Sequence, residues 1–132
     1  MLYCQLTTVP DPRNPTDKSN VCLRVKTSGV YDFRSMAADI SQATSLTEAD
    51  VLAAMRSFVL FTRRALLAGR NVELEDLGLF RLGVSSRMIP ATEARAKHFR
   101  IQSMLRKVRV CFLPATSLKA YLTDNVQVRP RP

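Results

Sequence analysis

Four consecutive apolar residues, Phe58-Val59-Leu60-Phe61, fall inside a helical stretch and restrict what this chain can fold into more than any other feature. The stretch opens at Thr47-Glu48-Ala49-Asp50, a capping-box-like pattern with acids in the first turn, where the helix dipole favours them. Gly69 stops it as a left-handed residue just past the helix, which therefore runs over about 48–68. Successive helical side chains point about 100° apart, so four in a row face four directions and no single apolar stripe hides them all. They must be covered on more than one side. A chain of 132 residues with 46% hydrophobic content can build a core, but a long charged segment takes up part of this one. A subunit interface formed by Phe58, Val59, Leu60 and Phe61 is the natural cover.

The remaining elements follow from local patterning. Residues 2–9 and 21–27 read as strands, with Leu2 to Leu6 and Val21 to Val25 rich in apolar and β-favouring types. Between them, Pro10 to Asn20 holds three prolines and several turn formers, which exclude a helix. The reading is a β-hairpin with a long tip, ending at Ser28-Gly29. Asp32 is a good N-cap, and Phe33, Met36, Ala37 and Ile40 then form one helical stripe that ends near Ala43-Thr44-Ser45. Two helices joined by so few residues predict an αα-hairpin. Asn71 to Glu75 is strand-like, Asp76-Leu77-Gly78 is a turn, and Leu79 to Val84 is a second strand. Arg106 to Phe112 alternates basic with apolar residues, as a half-buried strand does. Pro114 ends it, and Ser117 to Leu122 suits a short closing helix. The stretch 85–105 has mixed signals and reads as an extended, partly mobile arm, and Val126 to Pro132 as a disordered tail. No repeat of solenoid period is present.

Charge is segregated along this frame. From Arg81 to Arg109 there are eight basic residues and one acid, Glu93, a net +7 out of a formal +9 for the chain. A polyanion can use charges spread over many residues, whereas a small anionic substrate cannot. Nucleic acid is thus the leading partner class, ahead of an anionic membrane surface.

Other classes find little support. Cys4, Cys22 and Cys111 form no CxxC pair and each sits in an apolar, strand-like run. They read as small buried side chains in a reducing compartment, with a Cys4–Cys22 bridge as the alternative. No metal-ligand set, Walker loop or glycine-rich dinucleotide turn is present, so the expectation is a non-enzymatic protein without cofactor, metal or small-molecule substrate. Met1 to Thr8 lacks the features of a signal peptide, and no apolar run approaches a membrane span.

The order helix, helix, strand, turn, strand, basic arm, strand, short helix resembles the HU/IHF family of bacterial histone-like DNA-binding proteins. Leu46-Thr47-Glu48-Ala49-Asp50-Val51 carries the match at the second helix, and Val72-Glu73-Leu74 leads into Asp76-Leu77-Gly78-Leu79-Phe80, which looks like the family's glycine-turn-Phe signature. Val108 to Pro114 through Leu118-Lys119 resembles its last strand and closing helix. Phe80 and Phe112 lie 32 positions apart, about the interval that a two-stranded arm requires. The resemblance covers roughly 31–123, and residues 1–30 look like the extended HU-like subfamily with a leading strand pair.

What the resemblance implies is an α+β fold: an αα-hairpin, then a three-stranded antiparallel sheet with a protruding basic β-arm over about 84–107 and a short C-terminal helix, in an intertwined homodimer. Residues 1–30 would be a hairpin extension, 31–124 the DNA-binding domain and 125–132 a flexible basic tail. It further implies a cytoplasmic, nucleoid-associated protein that grips the minor groove of double-stranded DNA and bends it with little sequence preference. Arg81, Arg87, Arg95, Lys97, Arg100, Arg106, Lys107 and Arg109 are the expected DNA contacts. The family's Arg-Asn-Pro tip is missing, since the tip region reads Glu93-Ala94-Arg95-Ala96-Lys97-His98. Met88, Ile89 or Pro90 could supply an apolar wedge instead. An RNA-binding basic protein and an HU-fold scaffold are the competing readings.

Overall fold

Capping chemistry fixes the two long helices of the computed structural model, which describes residues 1–131. Helix α1 spans Phe33–Ala43, and the Asp32 carboxylate accepts from the Ser35 amide at 2.9 Å. That bond to the Ser35 amide, aided by the Ser35 side chain, holds the Asp32 carboxyl below the usual carboxylate range. A depressed folded-state value means the cap contributes above the unfolded value and is lost as pH falls through the lowered one. Helix α2 spans Glu48–Leu67 and carries the complete capping box: the Asp50 amide donates to Thr47 Oγ1 at 3.2 Å, and the Thr47 amide donates to Asp50 Oδ2 at 3.4 Å. Its far end closes in a Schellman motif. The Gly69 amide donates to the Leu66 carbonyl and the Arg70 amide to the Ala65 carbonyl, both at 3.0 Å, with Gly69 at φ +76°. Thr47→Ala is expected to cost about 1 kcal/mol. The check is a lowered urea midpoint at unchanged slope, with Thr47→Ser recovering most of it.

Two three-stranded sheets complete the fold. Strands β1 (Leu2–Val9) and β2 (Asn20–Val25) form the N-terminal hairpin, in register from Cys4 opposite Val25 to Val9 opposite Asn20. The second sheet has the order β3-β4-β5, with β3 at Val72–Glu73, β4 at Gly78–Ser86 and β5 at Leu105–Pro114, all antiparallel. The turn from β3 into β4 is closed by the Leu74 amide on the Gly78 carbonyl at 2.7 Å. The 85–105 segment is not one extended arm. The β4–β5 ladder ends at Ser86 opposite Leu105, and the residues between form a short helix α3 (Ala91–Ala94) and a 3₁₀ turn (Ile101–Met104). Pro90, at φ −60°, directly precedes α3, in which Ala91, Glu93 and Ala94 are good helix formers. Helix α4 (Thr116–Asn125) follows β5 directly, and Ser117 Oγ donates to the Asp76 carboxylate at 3.3 Å.

Of the flexible tail expected over 125–132, Pro132 lies outside the described residues, and those up to Arg131 differ from the expectation. Val128–Pro130 forms strand β6, which adds to β1 in parallel, with Leu2 opposite Val128, Tyr3 opposite Arg129 and Cys4 opposite Pro130. Proline lacks the amide that a central strand needs, but β6 is an edge strand and tolerates it. All three cysteines are free. Cys4 faces Val25 and Cys22 faces Thr7, an odd number of positions apart along the ladder, so the two thiols lie on opposite faces of the sheet and cannot bridge.

Little of the chain is buried. Cys4, Ala37, Val51 and Leu66 are the buried apolar residues among those described. The accessible surface is 11557 Å², against roughly 7000 Å² for a compact monomer of this mass. Phe58, Leu60 and Phe61 are exposed and Val59 is half-buried. Ala37, on the helix that packs against α2, is fully buried at 0% exposure.

Candidate nucleic-acid interface

The β4–β5 register sorts the ribbon into two chemically distinct faces. Arg81 pairs with Cys111, Gly83 with Arg109 and Ser85 with Lys107, which places Arg81, Arg109 and Lys107 on one face. The intervening pairs, Phe80 with Phe112, Leu82 with Val110 and Val84 with Val108, form the other face. Phe80 and Phe112 pack with ring centroids 5.1 Å apart at 43°, a tilted arrangement that aromatic quadrupoles favour. Small partners make room for the cations. The Arg109 guanidine Nε comes within 3.9 Å of where a Cβ on Gly83 would stand, so the arginine lies across the glycine.

Toward the tip the ladder slips. The register shifts between Ser85 and Ser86, leaving Arg106 as the extra residue of a β-bulge. A bulge bends a strand and redirects side chains. The Arg87 amide still reaches the Met104 carbonyl at 2.9 Å, so Arg87 sits where the two strands part. Beyond it, Arg95 ends α3, Lys97 follows, and Arg100 precedes the 3₁₀ turn, all three exposed. The eight sequence-derived cations therefore fall on one continuous ribbon and its cap, but only Arg81, Lys107 and Arg109 share a face by strand register. The three wedge residues separate clearly: Met88 is 99% exposed, Ile89 is half-buried, and Pro90 caps α3, its carbonyl accepting from the Glu93 amide at 3.0 Å.

One group of cations went unrecognised in the sequence. Strand β6 places Arg129 beside β1, across that strand from Arg24 and Lys26 of the N-terminal hairpin. The signal was the alternation Val126-Gln127-Val128, masked by the prolines after it. No group of three or more potential metal ligands occurs among the described residues, and no described helix is long and apolar enough to cross a membrane.

Comparison with known proteins agrees with this architecture. A protein of Bacteroides vulgatus, provisionally named a bacterial DNA-binding protein, has a crystal structure that superposes with a TM-score of 0.65 at 10% identity, over 99% of this chain and 49% of that one. The present chain thus spans about half the length of that neighbour. No curated protein matches the sequence. The profile of the HU-HIG family, an HU domain fused to a wHTH, Ig, or glycine-rich motif, matches residues 2–129. By that match, and with a fold shared with the Bacteroides structure, this chain belongs to the HU-HIG family of HU-domain proteins.

Proposed function

We propose that this chain is a non-enzymatic architectural DNA-binding protein of the bacterial nucleoid, acting as a homodimer whose residues 31–124 form the DNA-binding unit. The observation that carries the reading is the segregated ribbon: cations on one face, apolar side chains on the other, and further cations at the cap. Such a ribbon can lie along a groove and place Arg81, Arg87, Arg95, Lys97, Arg100, Arg106, Lys107 and Arg109 near phosphates on either side. Phosphate contacts position a protein without reading sequence, so preference should follow how easily DNA bends. Met88 is the wedge residue best placed to enter a base step.

The test is fluorescence anisotropy on a DNA duplex over a salt series, comparing wild type with Arg95→Ala/Lys97→Ala/Arg100→Ala. If the dimer neutralises six to eight phosphates, log K falls against log salt with a slope of roughly −5 to −7. The variant's slope is expected to become shallower by about 0.9 for each phosphate left un-neutralised. No wild-type binding at low salt would defeat the DNA reading in favour of a scaffold on the same fold. An unchanged slope in the variant would move the site off the cap.

A further inference from the structure

The sheet formed by both chain ends has its own two faces, and neither serves the ribbon. One face carries Leu6, Leu23, Val25 and Val128, all apolar. The opposite face is cationic. The Lys26 amide donates to the Tyr3 carbonyl at 2.9 Å and Tyr3 pairs with Arg129, so Lys26, Tyr3 and Arg129 form one cross-strand row. Gln5 pairs with Arg24, and the Arg131 amide donates to the Cys4 carbonyl at 3.2 Å, which continues the ladder and sets Arg24, Gln5 and Arg131 in the next row. Four cations thus stand at the corners of a patch roughly 10 Å by 7 Å, from ordinary strand and residue spacings. Tyr3, 39% exposed, sits between two of them. Tyr3, Lys26 and Arg131 line one concavity of about 470 Å³, and Arg131 also borders a second of about 380 Å³ with Cys4, Leu6 and Val128, so it stands at the sheet edge, open to both faces.

Among the described residues, no acidic side chain lies on the strands of this patch, β1, β2 and β6. The acids of the hairpin tip are held locally, Asp11 accepting from the Arg13 amide and Asp17 from the Ser19 amide, both at 2.9 Å. The Asp17 carboxyl is accordingly held below the usual range by its bonds to Ser19.

We infer that this terminal sheet is a second nucleic-acid site, distinct from the ribbon, whose ligand is a single strand with a base stacked on Tyr3 and its phosphates on Arg24, Lys26, Arg129 and Arg131. A flat strand face with an aromatic ring flanked by cations suits splayed bases, which a duplex keeps stacked inside. The tail is integral to the site, because β6 supplies Arg129 and leads into Arg131.

The experiment is anisotropy with the full chain on an oligothymidylate of about twelve nucleotides, within the usual single-strand site sizes, run in parallel with a duplex. Arg24→Gln/Arg129→Gln should weaken oligothymidylate binding at least about tenfold and lower the salt slope by about 0.7 for each phosphate left un-neutralised. Tyr3→Leu should weaken it about fivefold or more, and Tyr3→Phe should retain it. Arg95→Ala/Lys97→Ala/Arg100→Ala should leave it unchanged while weakening the duplex. Cys4 is buried in this sheet at 3% exposure, so slow reaction of its thiol with a disulfide reagent verifies that each variant keeps the sheet. Oligothymidylate affinity untouched by the sheet substitutions, or abolished by the cap substitutions, overturns the inference. So does a sheet variant that weakens only the duplex. Because the site does not depend on the ribbon, failure of duplex binding with retained single-strand binding would defeat the DNA-bending proposal alone.

Discussion

A chain carrying Leu60→Asp and Phe61→Asp is expected to lose its cooperative unfolding transition at concentrations where the wild type is fully folded. In a single chain Phe58, Leu60 and Phe61 remain 46%, 44% and 61% exposed, although they sit at the middle of the longest helix. Phe58 also borders an open cavity of about 610 Å³, with Phe33, Met36, Met55, Leu74 and Leu77 and one acid, Glu75. Large apolar side chains around an unfilled cavity have the character of half a core, and interfaces of roughly 2,000–5,000 Å² that resemble a divided core are typical of obligate dimers. The chain's 11557 Å² of accessible surface, against roughly 7000 Å² for a compact monomer of this mass, leaves an excess of the size such an interface buries.

An aspartate in such an interface must be desolvated or stay protonated, at a cost of several kcal/mol for each ion. Two-fold symmetry presents every substitution twice. The measurement is sedimentation equilibrium together with thermal melts at several protein concentrations. The wild type should run as a dimer with a Tm that rises with concentration, because association is linked to folding. The double variant should show no sharp transition, and Phe61→Leu, which keeps the site apolar, should stay dimeric. A folded variant with wild-type Tm, beside a wild type whose Tm ignores concentration, would defeat the dimer.

The helices were legible in the sequence because their signals are local. Asp32, Thr47 and Asp50 cap through residues three positions away, and Gly69 adopts its left-handed backbone whatever surrounds it. The N-terminal hairpin and the strand over Arg106 to Phe112 were readable for a related reason, since runs of apolar and β-favouring residues and basic–apolar alternation are local too, whereas the registers emerge only from the pairing. Two things were not local. Strand β6 exists because the β1 edge lies alongside residues 128–130, a pairing across nearly the whole chain, and its prolines argued for a loose tail. The cap of the ribbon mixed Pro90, a helix-forming Ala91-Thr92-Glu93-Ala94 and scattered cations, and no single period dominated it. The cations themselves were plain in the sequence, but which of them share a face depends on the bulge at Ser85–Ser86, which alternation alone does not reveal.

Gly78→Ala should be the most damaging single methyl addition in the fold, destabilising it by about 2–4 kcal/mol and lowering Tm on the order of 10 °C. Gly78 begins β4 opposite Pro114, at φ +149°, a backbone conformation that side-chain-bearing residues rarely adopt. A Cβ there would collide with the Leu113 carbonyl oxygen, which is backbone and held in the β5 ladder. It would also come within 2.9 Å of two Phe112 ring carbons. Moving that ring disturbs its packing on Phe80, and with it the apolar face at the base of the ribbon. The control lies five residues on in the same strand. At Gly83 the nearest atoms to an added Cβ, both from Arg109, are 3.9 and 4.0 Å away, and no left-handed backbone is required. Gly83→Ala should therefore be neutral or stabilise by up to about 1 kcal/mol, through the unfolded chain's reduced freedom. Urea denaturation of both variants at matched protein concentration makes the comparison. Equal stabilities would mean that the close approach of β4 and β5 at Gly78 relaxes freely, and that the glycine of the turn is dispensable to the ribbon's anchorage.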